Sequence, residues 1–260
     1  MEKSGTIVIA ISAYCQASRS KKLTQHTTGV RANTPLLSTL SRVAEAAHRL
    51  QFQGHRVIIC TTGVVDIGML DHRRSEQCPD DISKDTLAAL GQAKLTAMWG
   101  QLFGHLRQSI AQVPISKDDI KSTARLKKIQ HVLKDLLMHD AIPIVSVHGR
   151  ILPAMDPSSE ASYLGCLLAA ITDSAYIVVA RTTRGDLHQT ELRTCLDLAL
   201  MATTAMDIGA GNFAAVHLEC RDHDAEKAID YGCKLIVEDI GSFDKLPPTI
   251  KRLQTERIQH

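Results

Sequence analysis

The 260-residue sequence is poor in aromatic side chains, carries little net charge and contains no long apolar run. Aromatic residues make up 3% of it and the formal net charge is +2, so it lacks the stacking surface and the excess of cations typical of nucleic-acid binding. No apolar run approaches the length of a membrane span, and the run near the start is shorter than the core of a signal peptide. We therefore expect no nucleic acid and no membrane among its partners, and a cytoplasmic location.

The cysteines form no CxxC pair, and their number, seven, is odd. They are widely spaced and lie mostly inside apolar runs, which favours reduced thiols in a cytosol-like compartment over a disulfide framework or a cysteine metal site. We expect no bound metal.

The most informative stretch runs from Arg56 to Gly68, where a run of four apolar residues ends at Thr61, Thr62 and Gly63. The apolar run has no polar alternation, which is typical of a parallel strand covered on both faces. Ligands bind at the carboxyl ends of such strands, and a glycine there lets the backbone approach a ligand closely. The sequence therefore predicts a strand that leads into a binding loop, although an ordinary strand end explains the pattern about equally well.

Strand and helix patterns alternate along the rest of the chain, which predicts a mostly parallel sheet with helices on both faces. One α/β domain spanning residues 1–260 is expected. The predicted strands are Ile7–Ile11, Arg56–Cys60, Ile110–Ile115, Ala141–Val147, Ala175–Ala180, Phe213–Leu218 and Lys234–Glu238. The predicted helices are one from Thr34 to Leu50, followed by Asp85–His105, Ser122–His139, Ser159–Thr172, Glu191–Met206 and Asp224–Tyr231.

Four segments in order, "RLQFQGHRVIICTTGVVDIG", "LAALGQAKLTAMWGQLF", "IAQVPISKDDI" and "LKDLLMHDAIPIV", resemble the catalytic domain of glutamate 5-kinase in the amino-acid kinase family. The resemblance covers most of residues 7–240. It implies a three-layer αβα sandwich and, in the family, transfer of the ATP γ-phosphate to the γ-carboxylate of glutamate. The RNA-modification-like domain that some members carry at the C-terminus is not expected in this chain.

The positions that match the family's motifs have lost most of the family's charges. The lysine of the first strand is replaced by Ala10 and the glycine after it by Ser12, while a second lysine matches Cys195. The Asn-Glu-Asn-Asp motif is replaced by Ser146, Val147, His148 and Gly149, and the Gly-Asp-Asn-Asp motif by Ser159, Glu160, Ala161 and Ser162. The Thr-Asp-x-Asp-Gly loop is replaced by Arg181, Thr182, Thr183, Arg184 and Gly185. Only Thr61-Thr62-Gly63 stays close to the family's Ser-Ser-Gly.

The resemblance therefore implies a site without confident catalytic residues. Its substrate-binding positions are Thr61, Thr62, Gly63, Ser146, His148 and Arg150, and the remnant of the nucleotide side is Ser12, Arg181, Thr182, Arg184 and Gly185. Losing both lysines removes contacts worth roughly 3–4 kcal/mol each in a transition state. The sequence favours a degenerate relative that acts by binding, scaffolding or regulation, needs no cofactor, and pairs with itself or with a related active subunit.

Two other interpretations stay open. The first is an active, divergent glutamate 5-kinase or other small-acid kinase that uses ATP and Mg²⁺, with Arg181, Arg184 and Arg193 replacing the lost lysines. The second is a ligand or metal sensor that uses His148, His188 and His217, although no HxxxH-type spacing supports it. For a degenerate relative, we expect a small anionic metabolite as the ligand, and helix 85–105 around Trp99 or the loop Met69–Asp81 as the subunit contact.

Overall fold

The computed structural model describes residues 5–12, 34–72, 82–147, 157–181, 216–219 and 233–258. The strands in these ranges are β1 (Thr6–Ser12), β2 (Arg56–Thr62), β3 (Ile110–Ile115), β4 (Ile142–Val147), β5 (Tyr176–Arg181), β6 (Val216–Glu219) and β7 (Cys233–Asp239). The helices are α1 (Thr34–Phe52), α2 (Val64–His72), α3 (Lys84–His105), α4 (Lys117–Lys121), α5 (Thr123–Met138), α6 (Pro157–Thr172) and α7 (Leu246–Ile258), with a 3₁₀ helix at Ile240–Lys245 before α7.

The strands form one parallel sheet in the order β3-β4-β2-β1-β5-β7-β6. Alternate side chains of strands β1 to β5 enter two separate apolar clusters. In β1, Val8 and Ala10 pack with α5 and α6 on one face, whereas Ile7, Ile9 and Ile11 pack with α1, α2, α3 and α7 on the other. We call these the α6 face and the α3 face. The three-layer αβα sandwich expected from the sequence is confirmed.

The boundaries of the strands follow the apolar runs closely. Strand β3 has the predicted bounds, and the others in the described ranges differ by one or two residues at either end. Helix α3 begins one residue earlier than predicted because Ser83 caps it, its hydroxyl accepting from the backbone N–H of Thr86 at 3.1 Å. The predicted helices Glu191–Met206 and Asp224–Tyr231 and the first part of strand Phe213–Leu218 lie outside the described residues.

The prediction of a binding loop after Gly63 is wrong in its extent. Helix α2 begins at Val64, directly after Gly63, and continues through Gly68 to His72. Two crossing glycines explain why this short segment is helical. An added Cβ at Gly68 would lie 1.9 Å from the carbonyl oxygen of Leu87, and one at Gly91 would lie 1.8 Å from that of Val64. The backbones of α2 and α3 are therefore in direct contact, and that contact holds α2 against the sheet.

Trp99 is a core residue of the chain itself. It is 1% exposed, and its ring centroid lies 5.8 Å from that of Phe103 in the cluster on the α3 face. The subunit contact expected at helix 85–105 around Trp99 stays a prediction, and Trp99 itself is buried within the chain. None of the helices in the described ranges has the length and hydropathy needed to span a bilayer.

Candidate ligand-binding site

Four of the polar residues predicted for the site lie at the carboxyl edge of the sheet, because the strands that carry them run in the same direction. Ser12 on β1 pairs in register with Thr62 on β2, and Thr61 pairs with Ser146 on β4. All four side chains are buried, with exposures of 5% or less. Successive residues of a strand point to opposite faces, so the neighbours Thr61 and Thr62 contribute to different sides of the sheet.

Gly63 joins this edge to α2. Its φ of 86° lies in the left-handed region, which a glycine adopts without steric cost and which turns the chain from strand into helix within one residue. The carbonyl oxygen of Gly63 then accepts from the backbone N–H groups of Asp66 and Ile67. The amino terminus of α2 consequently lies at the carboxyl edge, where its backbone N–H groups and partial positive charge favour an anion.

On the α3 face, a line of hydrogen-bonded polar side chains crosses the outer strands toward Thr61. Thr96 of α3 donates from Oγ1 to Gln112 Oε1 on β3, and Gln112 Nε2 donates to Ser146 Oγ on β4 at 3.1 Å. The next side chain along this line is Thr61, the register partner of Ser146. Its Oγ1 is buried and has no hydrogen-bond partner among the described residues. An unpaired buried hydroxyl costs roughly 1–3 kcal/mol, so Thr61 is a place where a ligand or water is expected.

On the α6 face, the first turn of α6 supplies further buried polar groups beside the edge. Ser159, Glu160 and Ser162 are 6%, 2% and 0% exposed. Glu160 is the acidic residue of the helix's first turn, where a carboxylate interacts favourably with the helix dipole. Glu160 therefore keeps an acid at a position where the family motif has aspartate.

Ala10, at the family's lysine position, is fully buried on the α6 face. An added Cβ at Gly165 of α6 would lie 2.8 Å from Ala10 Cβ and 3.8 Å from Cys60 Sγ, so the helix lies against the strand at this point. Cys60 is also fully buried. Its thiol donates to the carbonyl oxygen of Ala161 at 3.5 Å, and burial raises the pKa of Cys60 well above its ordinary value. Cys60 is therefore a packing residue, without the thiolate character of a nucleophile.

Several predicted site residues lie outside the described part of the chain. They are His148, Gly149, Arg150, Thr182, Thr183, Arg184, Gly185, His188, Arg193 and Cys195. Arg181 is the last residue of β5, so it lies at the carboxyl edge, and it pairs in register with Asp239 on β7. His217 lies on β6, next to the outer edge of β7. No group of three or more His, Cys, Asp or Glu side chains in the described ranges is arranged to hold a metal ion.

Gln112 and Thr96 were not predicted as part of the site. Both lie in patterns that look ordinary in sequence, an alternating strand and an amphipathic helix. One signal was present, because Gln112 is a polar residue on the side of β3 that faces the α3 cluster. The role of Gln112 becomes clear only from its hydrogen bond to Ser146, which is 34 residues away in sequence.

Comparison with known proteins finds similar sequences and a similar fold. No model of a known protein family matches the chain. Glutamate 5-kinase of Nostoc punctiforme is 30% identical over 172 residues, which cover 66% of this chain and 44% of that protein. Glutamate 5-kinase of a Picosynechococcus species is 29% identical over 174 residues, covering 67% and 44%. An uncharacterized protein of Saccharomyces cerevisiae is 26% identical over 178 residues, covering 68% and 39%.

Among solved structures, Giardia carbamate kinase superposes on 94% of this chain and 96% of its own, with a TM-score of 0.52 and 11% identity. At that identity, the superposition bears on the fold alone. The chain therefore has the amino-acid kinase fold. Within that fold it is glutamate 5-kinase-like. It spans less than half the length of the curated relatives it matches.

Proposed function

We propose that this glutamate 5-kinase-like chain binds a small carboxylic acid at the carboxyl edge of its sheet and does not transfer phosphate from ATP. The observation that carries the proposal is that residue 10 is a buried alanine. The family resemblance places a phosphate-side lysine there, whereas Ala10 carries no charge, is fully buried and lies against the backbone of α6 at Gly165. Phosphoryl transfer depends on cations placed around the phosphates, and this position supplies none.

The acid-binding half of the proposal rests on what the edge retains. The buried hydroxyl of Thr61 has no partner in the part of the chain that the structure describes, Ser146 is held by Gln112, and α2 begins directly after Gly63. Hydroxyl and backbone N–H donors at a helix terminus suit a carboxylate. His148 and Arg150, two further expected contacts, follow β4 in the sequence. Neither a metal nor a nucleotide is required for this binding.

The test has two measurements on the purified protein. The first is ADP release with magnesium-ATP and L-glutamate, with the Nostoc punctiforme glutamate 5-kinase assayed in parallel as the positive control. We expect no turnover in the typical enzyme range of about 1–10³ s⁻¹. The second is thermal shift, in which a ligand at about a hundred times its Kd adds roughly 2.7 kcal/mol of stability. We expect stabilisation by L-glutamate or a related acid, and not by magnesium-ATP.

The alternative function is an active small-acid kinase with relocated cations. Arg181 favours it, because this residue ends β5 at the same edge as the acid-binding positions. Sustained ADP release that requires the acid would establish the alternative and contradict the proposal. Stabilisation by magnesium-ATP alone would also contradict it. Association with a second copy or with a related active subunit stays a prediction from the sequence.

A further inference from the structure

The hydroxyl of Thr61 is a buried polar group at the carboxyl edge for which the described residues supply no partner. Thr61 is 1% exposed, on the second-last residue of β2, and its Oγ1 has no hydrogen-bond partner among the described residues. A valine in its place would keep the shape and avoid the cost of burying an unpaired hydroxyl. The neighbouring positions on this face of β2, Val57 and Ile59, are apolar. A hydroxyl at this point therefore indicates a bonding partner other than the described residues.

Ser146, the register partner of Thr61, lies on the adjacent strand, at the usual strand spacing of about 4.8 Å. Its Oγ accepts a hydrogen bond from Gln112 Nε2 at 3.1 Å. A serine hydroxyl that accepts from an amide keeps its own proton for a second partner. Thr61 and Ser146 are then two hydroxyl donors, side by side on one face, close to the amino terminus of α2.

Gln112 is held in the orientation that this arrangement needs. Its Oε1 accepts from Thr96 Oγ1, so that its Nε2 is the group turned toward Ser146. Thr96 Oγ1 in turn accepts from Gln92 Nε2 of the same helix at 3.4 Å, which leaves its own proton for Gln112. The hydrogen bonds therefore run in one direction across the sheet, from α3 through β3 to β4.

We propose that Thr61 and Ser146 donate together to an acceptor oxygen of the bound acid, and that Gln112, oriented by Thr96, is the positioning residue that keeps Ser146 a donor. This inference rests on the proposed function, because it needs an acid at the carboxyl edge. It deepens that function by naming the chemistry of the ligand. The site selects a ligand with a hydrogen-bond acceptor oxygen, such as a carboxylate, and rejects its amide or amine counterpart when the group offered is a donor.

The decisive variant is Thr61→Val, tested by calorimetric titration with L-glutamate and by the thermal midpoint of the free protein. We expect the Kd for L-glutamate to rise roughly tenfold or more, as for the loss of a hydrogen bond to a charged group. We expect the midpoint of the free protein to stay unchanged or to rise. Thr172→Val is the matched control, since the Thr172 hydroxyl is buried but already donates to the carbonyl oxygen of Leu168 at 2.6 Å. This control should lower the midpoint and leave the Kd unchanged.

The positioning role of Gln112 is tested through Ser146. Gln112→Met, a neutral change of similar length, and Ser146→Ala should each weaken L-glutamate binding, and the double variant should be no weaker than Ser146→Ala alone. A residue that affected binding independently of Ser146 would instead give losses of binding free energy that add. Gln101→Met, at an exposed site on α3, controls for the substitution itself.

The outcomes separate this inference from the function on which it rests. If the wild-type protein binds L-glutamate and Thr61→Val binds it equally well, the donor pair is wrong and the proposed function stands. If Gln112→Met and Ser146→Ala have additive effects on Kd, the positioning role is wrong. If the wild-type protein binds neither L-glutamate nor succinate, the proposed function and this inference both fall.

Discussion

Gly165 of α6 lies so close to Ala10 of β1 that a Cβ added to the glycine would come within 2.8 Å of the alanine's Cβ. Real Cβ atoms do not approach to that distance, so the two small residues depend on each other. The pair fixes the height of α6 above the strand whose family counterpart carries a phosphate-side lysine. The close packing of this helix and the small, uncharged side chain of Ala10 are thus two aspects of the same local structure.

This dependence predicts a thermodynamic coupling between the two positions. Gly165→Ala should lower the free energy of unfolding by roughly 1–3 kcal/mol, because the strand cannot move away from the new methyl group. Adding Ala10→Gly removes the atom it collides with. The double variant should therefore be more stable than the sum of the single effects by about 1 kcal/mol or more. Urea unfolding followed by the fluorescence of Trp99, the single tryptophan of the chain, measures all three variants. Additive effects would show that α6 relaxes independently of Ala10.

The crossing of α2 and α3 gives a second prediction. Gly91→Ala would place a Cβ 1.8 Å from the carbonyl oxygen of Val64 and 2.8 Å from the backbone nitrogen of Gly68. Backbone atoms cannot rotate away as a side chain can, so we expect a loss at or above the upper end of the roughly 1–3 kcal/mol range for overpacking. L-glutamate binding should weaken as well, because α2 begins at the carboxyl edge.

Gly100→Ala on the same helix is the matched control for that prediction. A Cβ at Gly100 would have no neighbour within 4 Å. Replacing an exposed helical glycine by alanine raises stability by up to about 1 kcal/mol. The two substitutions are chemically identical and should have opposite signs in urea unfolding. Equal effects would mean that α2 does not rest on Gly91.

The sequence patterns were sufficient to predict the sheet, because its central strands β1, β2 and β5 contain continuous apolar runs. They were insufficient for α2, where Gly68 and a short length made the segment look like a loop. Helix α2 is stabilised by its contact with Gly91, which lies 23 residues after Gly68. Local propensity does not reveal a contact of this kind. Tertiary contact outweighed the local signal at this point.

That Thr61, Thr62 and Ser146 lie at one edge of the sheet was predictable, whereas their division between its two faces was less so. Thr61 and Thr62 form one motif in the sequence. In the fold, Thr61 joins the α3 face with Ser146, while Thr62 joins the α6 face with Ser12. The line from Thr96 to Ser146 connects a helix and two strands, and only the strand order places these residues together. That Ala10 replaces a family lysine stays a prediction from the resemblance.

His55, between α1 and β2, gives a prediction for pH. It is buried, with 3% of its surface exposed, and its Nδ1 has no hydrogen-bond partner among the described residues. Burial lowers the pKa of His55 in the folded protein, against an opposing hydrogen bond with the backbone of Gly5. The unfolded chain therefore takes up a proton at a pH where the folded chain does not.

The stability that neutral His55 contributes should be fully present above the unfolded pKa of about 6.5 and should fall as the pH drops below it. The fall ends at the lowered pKa of the folded state, and its slope cannot exceed about 1.4 kcal/mol per pH unit for one proton. Urea unfolding of the wild-type protein and of His55→Gln between pH 5 and 8 measures this slope. His55→Gln should flatten it, whereas His131→Gln, at an exposed position on α5, should leave it unchanged. A wild-type slope that survives in His55→Gln would assign the pH dependence to another group.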